Sequence, residues 1–559
     1  MPINSLEIEI YTADMPRGGT DDPVYCSVRL SSGVELVADF RLDTPRHNDF
    51  EPGSRRKYAL PVPSDLAPTV TPAEIERITV RKDGDDGWAL GGVALFANGV
   101  EVFRNPSVNQ FLDSGAAMLG QRTWVSDRVV GPVLGAPGPD FARIQIRLER
   151  PGPVEARLTS PTGTTIVASA TAAPTAVIEV SGLAADTTYR YQLFRDGASL
   201  PNTDGQLRTL PPENQGSAFS FAFGSCVRNE NDSVQLGWDQ LLERADELRF
   251  FLHLGDTFYF FEDVLGRRSP DSAGDPERVI GAAHLSSRLH SKFLAMARRL
   301  PSLAVWDDHD FAGNNSIGAH FANRALARDV FLSYWANPDL GPAWRAFGLT
   351  SRFTVGRADF YLLDGRFNRR FAGDFFGRAQ CELVLNEIDA RAARLGPRLV
   401  LLASGSPWHS MDQTDSYAER LLFFPLYAEE RAWFFSELAD RVKDGRMRGL
   451  VLLSGDAHRA EIYETALADA VVAPELVSSA LAMPHRGTDS RATTRERRFS
   501  RGVDEGDGSF ANFCVVSVDT RDAVPNGHWS LLVDYRRSDN GEVFFSKRYV
   551  LADNRFVWS

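Results

Sequence analysis

Cysteine is scarce in this chain of 559 residues: Cys26, Cys226, Cys381 and Cys514 stand far apart, and no pair has the Cys-x-x-Cys spacing. A disulfide framework and a zinc knuckle are thereby excluded. Long apolar runs are missing as well. None reaches the roughly 20 residues needed to cross a bilayer, so no transmembrane segment is expected. The first residues, MPINSLEIEIYT, lack a basic start followed by an apolar stretch, and no signal peptide is visible. The expectation is a soluble protein, cytoplasmic unless a secretion leader has been removed. Nor is there an excess of positive charge. At a net charge of −13 the chain would repel nucleic-acid phosphates, and no nucleic-acid-binding signal is present. Acidic residues gathered at one point would instead make a divalent-metal site.

What is present is a globular composition, with 43% hydrophobic and 24% charged residues. The length predicts about two to four domains. At the start, Leu6, Ile8 and Ile10 alternate with Glu7 and Glu9, the period of a half-buried strand. Turn-rich stretches such as Arg17–Asp22 and Asp83–Gly87 separate further short strands, which predicts an antiparallel sandwich over residues 1–115. Thr12, the GGTDD stretch, Val24, Tyr25 and the later Trp88-Ala89-Leu90 resemble a PLAT (lipoxygenase-homology) domain. That resemblance implies docking on lipid or on a partner protein; a plain spacer sandwich is the alternative. Residues 128–210 read as a second β-sandwich. There Ile144, Ile146 and Leu148 alternate with polar residues, and Leu183, Thr188, Tyr189 and Tyr191 look like the tyrosine corner of a fibronectin type III or immunoglobulin-like fold.

From residue 217 onward apolar strand-like runs alternate with helical patterns at 233–247, 277–300, 322–336, 377–395 and 427–443, as in a layered α/β domain. Six of the runs end in polar clusters. These are Gly224-Ser225-Cys226, Gly255-Asp256-Thr257-Phe258-Tyr259, Asp307-Asp308-His309-Asp310 with Asn314 and Asn315 beyond, Asp364-Gly365-Arg366, Ser404-Gly405-Ser406-Pro407, and Ser454-Gly455-Asp456-Ala457-His458. Ligands of α/β sheets bind outside the carboxyl ends of strands, so six such ends converge on one predicted site. Carboxylates suit hard cations, and thiolate, phenolate and imidazole suit softer or more highly charged ones. Two cations roughly 3.5–4 Å apart would clamp a phosphate and activate a hydroxide for in-line attack. Without cations the converging acids would repel one another.

In this order the motifs resemble the PhoD-like alkaline phosphatase family of calcineurin-like metallophosphoesterases. The resemblance implies a four-layer catalytic domain over residues 217–559, two packed sheets flanked by helices, behind two N-terminal β-sandwiches. It further implies that Cys226, Asp256, Tyr259 and His458 hold a ferric ion. Asp256 would bridge to a second ion, calcium or another divalent such as zinc, manganese or magnesium, completed by Asp308, Asp456 and Asn315. His309 would serve catalysis near the leaving group. Arg366 would steady the phosphate, with Asn314 and His409 as further substrate contacts. The PLAT-like front domain is not part of the usual pattern. The expected activity is hydrolysis of phosphate monoesters or diesters. A phospholipase D-like diesterase on lipids and a silent metal-binding protein are the alternatives.

For several of these side chains a structural role competes. Asp307 reads equally as a cap, Arg366 as an ion-pair partner of Asp364, Tyr259 as a core ring, and His253, His284, His290 and His320 as core or solvated residues.

Overall fold

The computed structural model describes the chain except residues 1, 15–17, 31, 33, 45–46, 65, 67–68, 84–87, 106–109, 113–120, 126–128, 149–150, 201, 228–234, 260–268, 289, 409–424, 469–470, 480, 483–496, 502–510, 523–527, 553–554 and 559. His409 and the turn at 84–87 therefore lie outside the described residues.

The chain is multidomain, a sheet-rich N-terminal region followed by an α/β domain. In the strands Leu6–Thr12 and Val24–Leu30 every second residue is buried, as the alternation predicted. These strands belong to a five-stranded and a four-stranded sheet whose inward side chains, Ile8, Ile10, Val24 and Val28 among them, form one buried cluster. Trp88 lies in that cluster, and its indole N–H donates to Thr12 Oγ1 at 3.1 Å. The strand Gln121–Val125 pairs with Ile75–Lys82. The first unit thus extends past the boundary expected at 115, because its last strand follows a stretch with little alternation.

Two further sheets, of three and five strands, cover most of residues 129–208 and enclose a second cluster containing Ile144, Ile146, Tyr189 and Tyr191. The Ala184 N–H donates to the Tyr189 hydroxyl at 2.8 Å, the tie expected of a tyrosine corner.

The α/β domain holds two seven-stranded sheets. In the first, Ser302–Val305, Leu248–Leu254 and Ala218–Gly224 run parallel, and antiparallel strands from the end of the chain extend it. In the second, Ala358–Leu363, Arg398–Ser404, Met447–Ser454 and Val472–Ser478 run parallel. The near-continuous apolar runs follow from burial of both faces. Phe360, Leu362, Leu399 and Leu401 enter the cluster that also contains Phe221, Phe223 and Phe250 of the first sheet. Their neighbours Tyr361, Leu363, Val400 and Leu402 point the other way, onto the helices Arg378–Leu395 and Ala428–Lys443. The parallel strands therefore bring all six polar ends to the carboxyl edges of two sheets that share one core.

Candidate metal centre

Hydrogen bonds close a circuit through five of the strand ends and tie the sixth, that of Arg366, to it. Cys226 N–H reaches Gly255 O at 3.3 Å, and Thr257 N–H and Oγ1 donate to Asp310 Oδ1 at 2.7 and 2.6 Å. Arg366 Nε and Ser406 Oγ both donate to Asp307 Oδ1, at 2.5 and 2.7 Å. Gly455 N–H donates to Gly405 O at 3.0 Å, and Asp456 N–H returns to Ser225 Oγ at 3.2 Å. Close approach requires glycine at Gly455, where a Cβ would stand 2.2 Å from Leu254 O, and at Gly405, where it would stand 2.5 Å from Trp306 O.

The backbone at these ends is unusual. Eleven described non-glycine residues have φ in the left-handed region, and five of them are Cys226 (59°), Asp256 (55°), Asn315 (59°), Asp456 (61°) and His458 (54°). Asp, Asn and His adopt this region more readily than other side chains, whereas Cys does so rarely. Such strain gathers where function needs a particular side-chain direction.

Three groups of side chains have their ligand atoms within 4.8 Å of one another: Cys226, Asp256 and His458; Asp256, Asp308 and His309; and Asp307, Asp308 and Asp456. Asp256 is shared by the first two and Asp308 by the last two. Asp256 Oδ2 accepts from the Tyr259 hydroxyl at 2.8 Å and lies 3.5 Å from Cys226 Sγ. Its other oxygen, Oδ1, is buried with no hydrogen-bond partner. The Tyr259 hydroxyl is also 3.2 Å from His458 Nε2, and its ring packs on His309 with centroids 4.0 Å apart. Asp308 accepts from the backbone N–H of His309 at 2.9 Å and of Asn315 at 2.6 Å. Asn314 is exposed.

Electrostatics make the arrangement incomplete by itself. Burial, and then the charges of Cys226, Asp308, Asp307 and Asp310, push the Asp256 carboxyl well above its ordinary range. Burial followed by Asp256 and Cys226 pushes the Tyr259 phenol well up. Burial and Asp456 raise the Cys226 thiol to about 11, against the opposing hydrogen bonds from Ser225, Ser479 and Tyr259. Burial also acts on Asp308, but His309, Arg366 and the two backbone N–H groups outweigh it and hold Asp308 below the usual range. A cation beside these groups would reverse the first three shifts. The orphaned Asp256 oxygen and the mixed S, N and O donor set fit such ions.

Arg366 stands differently from the expectation. It is fully buried, and its partner is Asp307, 59 positions away, not Asp364. Asp364 instead accepts from the backbone N–H groups of Arg366 and Phe367 at 2.8 Å each. Asp307 also begins the short helix Asp308–Phe311, forming a capping box with Asp310. Sequence reasoning missed Ser479, which donates to Cys226 Sγ at 3.0 Å and accepts from His458 N–H at 2.8 Å. The signal available was a seventh apolar run, the strand Val472–Ser478, ending in Ser478-Ser479.

A family model described as PhoD-like phosphatase matches residues 221–513, more than half of the chain. A solved structure described as "Structure of PhoD" matches with a TM-score of 0.60 at 18% identity, covering 77% of this chain and 91% of that one, a likeness of fold. Phospholipase C of Clostridium novyi is 33% identical over 101 residues, 17% of this chain and 24% of that protein. The chain thus spans about a quarter of the length of this curated relative. The alpha toxin from Clostridium absonum matches over 22% of this chain and 31% of its own, at 23% identity and a TM-score of 0.19.

Proposed function

The chain belongs to the PhoD-like phosphatase family and is a hydrolase of phosphoric ester bonds; from that premise we propose a two-cation centre in which Asp256 is the bridging ligand. The observation that carries this is the sharing of Asp256 between two ligand groups, with one of its oxygens buried and unpartnered. Cys226, Tyr259 and His458 would hold a ferric ion with it, and Asp308, Asp456 and Asn315 would hold calcium or another divalent ion. Bound there, the pair would supply charge neutralisation for the phosphate and a nucleophile at neutral pH.

The protein's own groups do the rest. His309, packed on Tyr259 and beside Asp256 and Asp308, gives a proton to the leaving oxygen. Arg366 acts through Asp307, fixing the turn that presents Asp308. Ser479 and Ser225 orient the Cys226 sulfur as a supporting layer around a metal ligand does. The exposed Asn314 is the candidate phosphate contact, and His409 keeps the substrate-contact role that the family resemblance implies.

The two N-terminal sheet pairs are read as a PLAT-like and a fibronectin type III-like sandwich. The short likeness to a phospholipase C favours a second reading, in which the substrate is a lipid phosphodiester delivered by the PLAT-like unit. Rates on an aryl phosphate monoester, a diester and a phospholipid, measured together with metal content, separate these. Turnover of none of the three by fully metallated protein would contradict both.

A further inference from the structure

Val227 and Thr257, the residues directly after Cys226 and Asp256, line a second and much smaller space. It is a cavity offering about 10 Å³ to the centre of a water-sized sphere, room for a single water or monatomic ion, walled also by Gln235, His253, Ser287 and Arg288. Two of these walls are basic side chains only 2% exposed.

Arg288 pairs with no carboxylate among the described residues. One terminal nitrogen donates to Tyr334 O at 3.2 Å, the other is 3.5 Å from Ser287 Oγ, and Nε has no partner. The rings of Trp335 and Phe293 face the guanidinium at 3.9 and 4.8 Å. Arginine cannot shed its proton to escape burial, so an unpaired guanidinium here is costly. Asp310 contributes to the field at Arg288, but its oxygens are taken by Thr257 and by the Asp307 N–H.

His253 sits within an aromatic box, 4.9 Å from the Trp335 ring and 5.2 Å from Trp238, and neither of its nitrogens has a partner. Burial and the Arg288 charge hold it well below its ordinary pKa, so the ring is neutral and presents one N–H. Trp335 Nε1 in the same cluster is buried and unpartnered too. The hydroxyls nearby are committed, Thr257 to Asp310 and Ser287 to His284 O. Among the described residues the region therefore has spare donors and an unbalanced positive charge. A water would satisfy donors but leave the charge, and a sulfate or phosphate is too large.

We propose that this cavity is a halide site, holding one chloride-sized monovalent anion between Arg288 and His253. The anion balances the guanidinium and braces the two strand ends that carry Cys226 and Asp256.

Crystals of the full chain soaked in sodium bromide test this directly. An anomalous bromine peak between Arg288 and His253 is expected; solvent density there with no anomalous signal would overturn the proposal. In solution, the unfolding midpoint should rise by about 2–4 °C in sodium chloride relative to sodium gluconate at equal ionic strength. Arg288→Met should abolish that response. Equal midpoints in the two salts, or an undiminished chloride response in Arg288→Met, would contradict it, and the bromide result on the unaltered protein decides if the variant does not fold.

Discussion

The strand Ala358–Leu363 has a buried acid near each end, Asp359 at its start and Asp364 just past its finish, and the two ends of the α/β domain treat buried charge in opposite ways. At the amino end Asp359 accepts two hydrogen bonds from Arg391 at 2.8 Å each, one from Arg398 at 2.7 Å and one from Thr354 at 2.9 Å. Its charge is met in full by the chain. At the carboxyl end Cys226, Asp256, Asp307, Asp308, Asp310 and Asp456 face Arg366 as the only buried guanidinium paired with them among the described residues. Burial holds Asp310 up at about 7. One end is a closed ion network that supports the fold. The other is short of positive charge by design of its residues, which is the condition for taking up cations.

The largest effect should follow from removing the shared charge at the open end. Asp256→Asn is expected to reduce turnover to background and to lower the content of both metals, measured by elemental analysis of folded protein. Full metal content with lost activity would move Asp256 from ligand to catalyst. His309→Ala should keep both metals while slowing turnover about 10²–10⁴-fold. Metal loss equal to that of Asp256→Asn would instead make His309 a ligand, an outcome its place beside Asp256 and Asp308 makes a sharp test.

The closed end should respond in stability and not in metal content. Asp359→Asn leaves Arg398 buried without its counter-charge and Arg391 with only Glu213, 3.6 Å away, and a loss of about 3–5 kcal/mol in denaturant unfolding is expected. Metal per folded chain should be unchanged; a parallel loss of metal would show that the two ends are coupled. The smallest effect is expected from deleting residues 1–125. Those residues enclose their own buried cluster, so turnover of a small soluble phosphate ester should stay near that of the whole chain. A folded, metallated but inactive truncation would contradict that independence.

The contrast between the two ends also explains what could be read from the sequence. The six strand ends were legible because each joins an apolar run to a polar turn within a few residues, and parallel strands deliver their carboxyl ends to one edge. Helices at 378–395 and 428–443 were legible for a similar local reason, their apolar period. Arg366 and Asp307 are 59 residues apart, and Ser479 and Cys226 are 253 apart. No local spacing encodes such pairings; they follow from the packing of two sheet edges against each other. Asp359 gave no sign of its two arginine partners for the same reason. The first unit's boundary was misjudged because the strand Gln121–Val125 gains its place from pairing with Ile75–Lys82 and not from its own pattern.

In the proposed centre the carboxyl end is completed by cations, one of them ferric and held through Tyr259 and Cys226. Elemental analysis of the purified protein combined with its visible spectrum tests this most directly. Iron and a second metal are expected, with a visible charge-transfer band from the phenolate and thiolate that Tyr259→Phe shifts or bleaches and Cys226→Ser alters separately. A colourless protein, stripped of all metal by chelation and still hydrolysing phosphate esters at its full rate, would contradict it.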